Sequence, residues 1–344
     1  MRLAVVGFGG VGKAFVELLS AKRSYLRREG LDIKVNYVIN SRGGIYAPQG
    51  IDYHDLIAFS KTSGELGEYK NGGSRQITFD SIMDKKDVDV LIEMTPTDKE
   101  TGEPGMTYIK RALASGIHVI TSNKGPVMLA YKKLNRLAAK HGVQFGIGCT
   151  SGGALPTVNG GLIDMAGSNI LSIEGVLNGT TNFILDEMEQ RGITYQEALK
   201  KAVEIGIAET DPTLDVEGWD TASKLLILTN ILMNEDKTIQ DVLVEGITGI
   251  TPEQIDETKK EGRKYKLVGR TVNSDDKLHM TVRPEKLDKS HPLYGIDGRY
   301  KAVRYVSDTL GDLTISGGPS GVTPAAASVL RDLMNIHRGY RYSR

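Results

Sequence analysis

The chain has 344 residues, a length for which two domains are the natural expectation because single cores rarely grow so large. Lysine plus arginine and aspartate plus glutamate both number 43, so the formal net charge is zero. Such a balance offers no field that would hold nucleic acid or an anionic membrane, and no apolar run is long enough to predict a membrane span. With one cysteine and no signal-peptide pattern at "MRLAVVGFGG", we expect a cytoplasmic protein without internal disulfides.

Strand-like and helix-like patterns alternate through residues 1–150. Helical spacing marks "VGKAFVELLSAK", "GMTYIKRALASG" and "VMLAYKKLNRLAAKHG", and the predicted strands are "RLAVVGF", "IKVNYVI", "DVDVLIEM", "IHVITS" and "VQFGIG". This alternation predicts an α/β domain, a parallel sheet with helices on both faces. Residues 43–80 are rich in glycine and polar residues, so we expect irregular structure there with one short helix near "YHDLIAF".

The pattern changes after "CTSGGALPTVNGG". Short strands mix with two long helical segments over residues 151–316, which predicts an α+β domain; the strands are "ILSIEGVLNG", "KYKLVGRTV", "KLHMTVRP", "YKAVRYVS" and "GDLTISG". The last amphipathic pattern, "TPAAASVLRDLMNI", predicts a helix at about 317–340.

The first predicted strand runs into a glycine-rich loop with the G-x-G-x-x-G spacing. Glycines at these points permit a tight turn and close approach of the backbone to a pyrophosphate, which the next helix then meets with its free amides. The pattern is weak alone, but here it follows a strand and opens a helix, which favours dinucleotide binding over a structural turn. The loop consists of Gly7, Phe8, Gly9, Gly10, Val11 and Gly12.

The end of the second strand predicts the choice of cofactor. An acid there favours NAD by bonding the ribose 2′-hydroxyl, whereas an arginine accommodates the 2′-phosphate of NADP. The chain has Asn40, Ser41 and Arg42 and no acid. We therefore predict NADP, with NAD as the alternative; an arginine on a solvated loop is the other interpretation.

Two more loops follow predicted strands at the edge where open α/β sheets place ligands. "EMTPTD" contains Thr95 and Pro96, and "TSNKGP" contains Lys124. A lysine at such a point is often a surface residue, but its place between a buried strand and a helix favours the cleft.

Cys149, in "CTSGGALP", raises the alternative of a nucleophile, as in dehydrogenases that oxidise aldehydes. A reactive thiol needs a neighbouring base, and the adjacent residues supply none. We predict a buried residue that packs and does not react.

Residues 209–224 gather acids in front of an apolar helix. A calcium loop fails because the glycine and the terminal glutamate are out of register. Asp220 and Lys224 share one helix face, and the apolar run "LLILTNILM" predicts a buried helix, so this lysine must be paired or line a cavity. The alternative is an exposed ion pair between Asp220 and Lys224 that has no function. The charged residues are Glu209, Asp211, Asp215, Glu217, Asp220 and Lys224.

Several motifs together closely resemble homoserine dehydrogenase: "GFGGVG", "EMTPTDKETGEPG", "TSNKGP", "NGTTNFIL", "AETDPTLDVEGWDTASKLLIL" and "GGPSGVTPAAASVL". The resemblance implies a Rossmann-type nucleotide-binding domain, completed by the terminal helix, and an α+β domain for catalysis and dimerisation. It also implies NAD(P)-dependent interconversion of homoserine and aspartate 4-semialdehyde, an amino-acid substrate and a homodimer. No regulatory ACT extension is expected.

Carried over by motif, Glu209, Asp215 and Asp220 bind the substrate, and Lys224 is the proton donor. Lys124 is a second lysine in the site. Lys124, Gly206 and Gly321 contact the cofactor. Some members hold a sodium ion through a glutamate and backbone carbonyls, but Gly148 stands at the glutamate's position, so a sodium ion is doubtful. The carbonyls are those of Ser151, Gly153 and Leu155.

Two other functions stay open from the residues alone. A semialdehyde dehydrogenase would use Cys149 as a nucleophile, and a non-catalytic NADP sensor would keep the glycine loop without needing the Lys224 cluster.

Overall fold

The structure is a computed structural model that describes residues 1–62, 65–274 and 277–342. The chain divides into two compact units, the first comprising Met1–Ala154 with Gly321–Arg344 and the second comprising Leu155–Ser320. The division predicted from the sequence, at residues 150 and 316, falls a few residues before these limits.

The first unit is built on a seven-stranded sheet. Its order is β4-β3-β2-β1-β5-β6-β7, and β2, β1, β5, β6 and β7 run parallel. The strands are β1 (Arg2–Val6), β2 (Lys34–Asn40), β3 (Gly43–Tyr46), β4 (Gly73–Ser74), β5 (Val90–Glu93), β6 (His118–Thr121) and β7 (Phe145–Gly146).

The interpretation of residues 43–80 as irregular was wrong in part, because β3 and β4 extend the sheet there as antiparallel strands. Glycine is a poor strand former, so the sequence carries little strand signal. Packing decides instead: a Cβ on Gly44 would lie 2.6 Å from Cγ2 of Ile39, so only glycine fits beside β2.

Among the described residues, six α-helices accompany this sheet before the chain enters the second unit. They cover the strands with apolar faces, as Phe15 and Leu19 do in the core that contains Leu3 and Val5. The helices are α1 (Gly10–Ala21), α2 (Arg23–Arg28), α3 (Tyr53–Thr62), α4 (Phe79–Lys85), α5 (Gly105–Ala114) and α6 (Lys124–Lys140).

The second unit has a six-stranded sheet of order β13-β12-β8-β10-β11-β9. Neighbouring strands are antiparallel except β9, which pairs parallel with β11 and was not predicted, being only three residues long. The strands are β8 (Ile170–Val176), β9 (Val242–Val244), β10 (Lys264–Ser274), β11 (Lys277–Leu287), β12 (Lys301–Ser307) and β13 (Asp312–Gly317).

Helix α11 packs on this second sheet and is buried around nearly its whole circumference, which confirms the prediction from its apolar run. Gly269 of β10 permits the close contact, since a Cβ there would lie 3.0 Å from Cγ2 of Thr221. Hydroxyls of Thr229 and Thr271 also bond across this contact at 2.7 Å. The helices of this unit are α7 (Thr157–Asn159), α8 (Gly179–Arg191), α9 (Tyr195–Glu204), α10 (Thr213–Val216), α11 (Trp219–Leu232) and α12 (Pro252–Lys260).

The last helix, α13 (Val322–His337), returns to the first unit, and its predicted existence is confirmed. Ala326, Val329 and Leu333 on its apolar face are fully buried in the core of that unit. Among the residues that the structure describes, no helix is both long and apolar enough to span a membrane.

Candidate active site

The three glycines of the first loop have three different geometric tasks. Gly7 has a φ of +96°, and a Cβ there would lie 2.4 Å from the carbonyl oxygen of Met94, so the turn requires glycine. A Cβ on Gly12 would lie 2.4 Å from the carbonyl oxygen of Gly7, so α1 sits tightly against the strand end. A Cβ on Gly9 would meet nothing within 4 Å, which leaves open space before the amino end of α1.

This arrangement fits a dinucleotide. Helix α1 begins at Gly10 and has no acidic residue in its first turn, so its positive dipole end is not neutralised by its own side chains. Phe8 is nearly buried and Val11 is partly buried against the core, which holds the loop in place. The open approach at Gly9 is where the backbone amides can meet a pyrophosphate.

Arg42 lies just beyond β2 with 63% of its side chain exposed. Its backbone N–H donates to Oδ1 of Asn40 at 2.8 Å, which closes the turn. Glu65 stands between two arginines, 3.7 Å from Nη1 of Arg42 and 2.8 Å from Nη2 of Arg75. The sequence reasoning missed Arg75, which is distant in the chain and lay in the segment taken as irregular.

Asn123 joins the loops that carry Thr95, Pro96 and Lys124. Its Nδ2 donates to the carbonyl of Pro96 at 3.3 Å and to Oγ1 of Thr95 at 3.4 Å. Its Oδ1 accepts from the N–H of Gly125 and so caps α6, whose first residue is Lys124. The structure therefore brings these two predicted loops together.

In the second unit, part of the acidic stretch forms a compact polar cluster. Asn178 donates through Nδ2 to Oδ1 of Asp215 at 2.7 Å and to Oδ2 of Asp220 at 2.9 Å. Nζ of Lys224 lies 2.6 Å from Oδ2 of Asp220 and donates to the carbonyl of Leu177 at 2.8 Å. The side chains of Asp220 and Lys224 are 11% and 14% exposed, so the surface-pair alternative is wrong.

Local structure explains why these groups meet. Asn178 follows β8 and is the N-cap of α8, where its Oδ1 accepts from the N–H of Thr181 at 2.9 Å. Asp220 lies in the first turn of α11, where the helix dipole favours a carboxylate. Asn178 lies in the motif "NGTTNFIL" but was not predicted as a site residue, although an asparagine before a helix is a capping signal in the sequence.

Glu209 is not part of that cluster. It lies exposed in the loop between α9 and α10, and within the described residues no hydrogen bond or ion pair joins it to Asp220 or Lys224. Gly206 turns this loop with a φ of +69° and is exposed. In the first unit, Gly321 is the N-cap of α13 with a φ of +125°, a conformation that favours glycine.

Cys149 is 7% exposed and packs in the core of the first unit. Its Sγ lies 3.5 Å from the carbonyl oxygen of Ala325, to which it donates. The predicted burial is confirmed.

The sodium site at the carbonyls of Ser151, Gly153 and Leu155 stays a prediction. The carbonyl of Leu155 accepts from the N–H of Thr157 at 2.8 Å. Among the described residues, no group of three or more His, Cys, Asp or Glu side chains is arranged to hold a metal.

Comparison with known proteins decides the family. The family model "Homoserine dehydrogenase, NAD binding domain" matches residues 7–147, and the model "Homoserine dehydrogenase" matches residues 156–334. A homoserine dehydrogenase of Methanocaldococcus jannaschii is 38% identical over 337 residues, which cover 98% of each chain. The chain belongs to the homoserine dehydrogenase family.

Other members of the homoserine dehydrogenase family differ in cofactor. A protein of Pseudomonas canavaninivorans described as an NAD(+)-dependent homoserine dehydrogenase is 34% identical, over 98% of this chain and 96% of its own. A hyperthermophilic archaeal homoserine dehydrogenase mutant, solved in complex with NADPH, superposes with a TM-score of 0.84 at 25% identity over 100% of this chain and 99% of that one. The putative homoserine dehydrogenase of Archaeoglobus fulgidus gives 0.87 at 33% identity over 98% and 99%.

The homoserine dehydrogenase family assignment confirms the predicted fold of a Rossmann-type NAD-binding domain plus a catalytic domain. The protein is an NAD(P)-dependent oxidoreductase that acts on a small molecule and uses a nicotinamide cofactor. The semialdehyde dehydrogenase and NADP-sensor alternatives are therefore wrong.

Proposed function

We propose that this chain interconverts L-homoserine and L-aspartate 4-semialdehyde with NADP(H), in the biosynthesis of threonine and methionine. The observation that carries the proposal is the hydrogen-bonded cluster of Asn178, Asp215, Asp220 and Lys224, of which Asn178 and Asp220 are buried and Asp215 and Lys224 partly buried. It supplies one amine and two carboxylates in a part of the second unit that keeps them largely from solvent. Family membership supplies the reaction in which such groups are needed.

Lys224 is the group that moves the proton. During oxidation its neutral amine takes the proton of the substrate hydroxyl, and during reduction its ammonium returns that proton to the oxygen. A bound nicotinamide cofactor supplies the hydride acceptor for oxidation and the hydride donor for reduction. Asp220 and the carbonyl of Leu177 hold Nζ in one position, which removes the entropy of a long side chain before the reaction begins.

The substrate's ammonium group is bound by carboxylates of the second unit. Asp215 and Asp220 are held by Asn178, so their remaining lone pairs have a defined direction. Glu209 is exposed and free to turn toward an amino acid that arrives from solvent. We assign Glu209 to recognition of the α-ammonium and Asp220 to orientation of both lysine and substrate.

The first unit holds the cofactor. Its glycine loop meets the pyrophosphate, and the loops of Thr95, Pro96 and Lys124 meet the nicotinamide side. We propose NADP because Arg42 and Arg75 stand beside the end of β2, where no acid is present to bond a ribose 2′-hydroxyl. Binding of a 2′-phosphate would require the ion pairs of Glu65 with Arg42 and Arg75 to break.

The protein is further proposed to act as a homodimer in the cytoplasm. The dimer rests on family resemblance, and the location on a single buried thiol that needs no oxidising compartment. Light scattering of the purified chain tests the dimer, since a mass of one chain at micromolar concentration contradicts it.

The deciding experiment is NADP+ reduction by the purified chain with L-homoserine as substrate. We expect turnover with homoserine and none with homoserine replaced by aspartate 4-semialdehyde plus phosphate. Binding of NADPH without any turnover of homoserine would refute the activity. Asp220→Asn provides a matched variant, because it keeps the side-chain shape and removes the charge that faces Lys224.

A further inference from the structure

Glu93 is a fully buried acid at the edge of the sheet where the first unit binds its ligand. It is the last residue of β5 and is 0% exposed. It pairs in register with Val6 at the end of β1 and with Thr121 at the end of β6. Three neighbouring parallel strands therefore end around this carboxyl group, at the edge where such sheets receive ligands.

Uncharged donors surround the carboxyl group. Oε1 of Glu93 accepts the N–H of Thr95 at 2.8 Å and also the hydroxyl of Thr95, while Oε2 accepts the hydroxyl of Thr121 at 2.6 Å. Burial raises the pKa of Glu93, and these hydrogen bonds oppose that effect. Because an apolar residue would be easier to bury, the retained acid calls for a role beyond packing.

The residues that donate to Glu93 connect it to the loop of Thr95 and Pro96 and to the loop of Asn123 and Lys124. Oγ1 of Thr121 accepts the N–H of Asn123 at 2.9 Å, and Nδ2 of Asn123 returns to the carbonyl of Pro96 at 3.3 Å. Asn123 also caps α6, the helix that begins with Lys124. Each hydrogen bond on Glu93 therefore connects, within two steps, to a residue assigned to the cofactor.

Helix α5 presses on the same group. A Cβ on Gly105, its first residue, would lie 2.8 Å from Nδ2 of Asn123 and 3.2 Å from Cδ of Glu93. Only glycine leaves room for the network at this point. The amino end of α5 therefore lies directly against the carboxyl group of Glu93.

We propose that Glu93 is a positioning residue for the nicotinamide cofactor, holding the Thr95–Pro96 loop and the Asn123–Lys124 loop in one fixed arrangement. With its proton donated to Glu93 and one lone pair accepting from Nδ2 of Asn123 at 3.4 Å, the Thr95 hydroxyl has one lone pair left to accept an N–H of the ligand. The inference rests on the proposed function only in assigning these two loops to the cofactor. It goes beyond that function by giving a role to a residue that need not touch substrate or cofactor.

The test is direct titration of Glu93→Gln with NADPH and with NADH. Binding is measured through the fluorescence of the cofactor. The glutamine must place an N–H₂ group against either Thr95 or Thr121, where only donors point. We expect both Kd values to rise about tenfold or more and by similar factors, because the 2′-phosphate lies elsewhere. The KM for homoserine should change less than threefold. If Glu93 were purely structural, its replacement would lower Tm and would not raise the two Kd values more than the KM for homoserine.

Asp332→Asn is the matched control, since Asp332 is also 0% exposed and accepts the N–H of Gly148 at 2.7 Å. It should lower Tm and leave both Kd values within twofold. If Glu93→Gln does not fold, Thr121→Val removes one donor to the same carboxylate and should show the same pattern at smaller size.

Three results would overturn the role of Glu93. They are a folded Glu93→Gln with both Kd values within twofold of wild type, a loss confined to NADPH, or, where Glu93→Gln does not fold, a Thr121→Val variant with unchanged Kd values. Because binding is measured without turnover, its outcome is independent of the proposed activity. A wild-type chain that binds NADPH and does not oxidise homoserine refutes the activity alone.

Discussion

Nζ of Lys224 and Oδ2 of Asp220 lie 2.6 Å apart, one turn from each other on α11. The pair is shielded from solvent, and Asn178 holds the aspartate from the other side at 2.9 Å. A buried pair that is also hydrogen-bonded is a poor source of stability but a good way to hold a reactive amine in one place. The following predictions test that site and its surroundings.

Lys224→Met keeps the length of the side chain and removes the proton. We expect kcat for homoserine oxidation to fall by roughly 10²–10⁴, the usual contribution of general acid–base catalysis. The Kd for NADPH should stay within threefold. Steady-state kinetics and titration with NADPH check both parts.

Lys264→Met serves as its control, because Lys264 is 17% exposed and paired with Asp297 in the same unit. It should keep kcat near the wild-type value. If Lys124→Met is inactive while Lys224→Met keeps near-normal kcat, the proton belongs to Lys124.

Glu209→Gln removes a charge from an exposed loop and keeps its shape. If Glu209 meets the α-ammonium, the KM for homoserine should rise about tenfold or more, while the KM for NADP+ changes little. The exposed Glu217→Gln, eight positions along the same acidic stretch, should change neither value. Equal KM values for Glu209→Gln and wild type would leave Glu209 as a loop acid.

Arg42→Ala removes one of two guanidinium groups beside the end of β2. We expect NADPH binding to weaken by about 1–2 kcal/mol, a reduced value for a charged hydrogen bond at an exposed site, and NADH binding to stay nearly constant. Arg111→Ala is the control, since Arg111 is a partly exposed arginine paired with Asp80 on the same unit. Equal losses for NADPH and NADH in Arg42→Ala would contradict the role.

Cys149→Ala should keep most of the homoserine oxidation rate, because the thiol is buried and packs in the core. Removing the sulfur should lower the free energy of unfolding by about 1 kcal/mol through lost burial. Denaturant unfolding and initial rates check both parts. Loss of activity in a folded variant would mean that the thiol takes part in the reaction.

His118→Asn should flatten the acid side of the stability profile. Burial lowers the pKa of His118, and its Nδ1 accepts the N–H of Gln144 at 2.9 Å, a bond that only the neutral ring can make there. The native state thus favours the neutral form, so this stability is present above pH about 6.5 and is lost as pH falls through the lower native value.

Denaturant midpoints of wild type and His118→Asn at several pH values provide the measurement. The amide oxygen of asparagine can accept the same bond without titrating, so the wild type should lose more stability than the variant between pH about 7 and about 5. Parallel profiles for the two proteins would show that His118 does not contribute to the acid slope.

Much of the fold was accessible from local patterns. Valine-rich runs predict β1, β2, β5 and β6 because buried parallel strands are apolar on both faces. The glycine loop was identified because its spacing, the strand before it and the helix after it all lie within a few consecutive residues. The apolar run after Lys224 likewise predicts that α11 is buried. In each case the physical cause acts over one or two turns of chain, so the sequence carries it directly.

Tertiary structure decided the rest of the site. Asn178 meets Asp215 and Asp220 across 37 and 42 positions, which depends on how β8 and α11 pack and on no local rule. Arg75 reaches Glu65 beside Arg42 because β3 and β4 pair, although glycine hides both strands in the sequence. In the sequence, Glu93 is only a polar residue at the end of a predicted strand. The structure shows that it is enclosed by the ends of β1 and β6. Sequence alone determined which groups the protein has and on which elements they lie. Packing and strand register determined which of those groups form hydrogen bonds or ion pairs with one another.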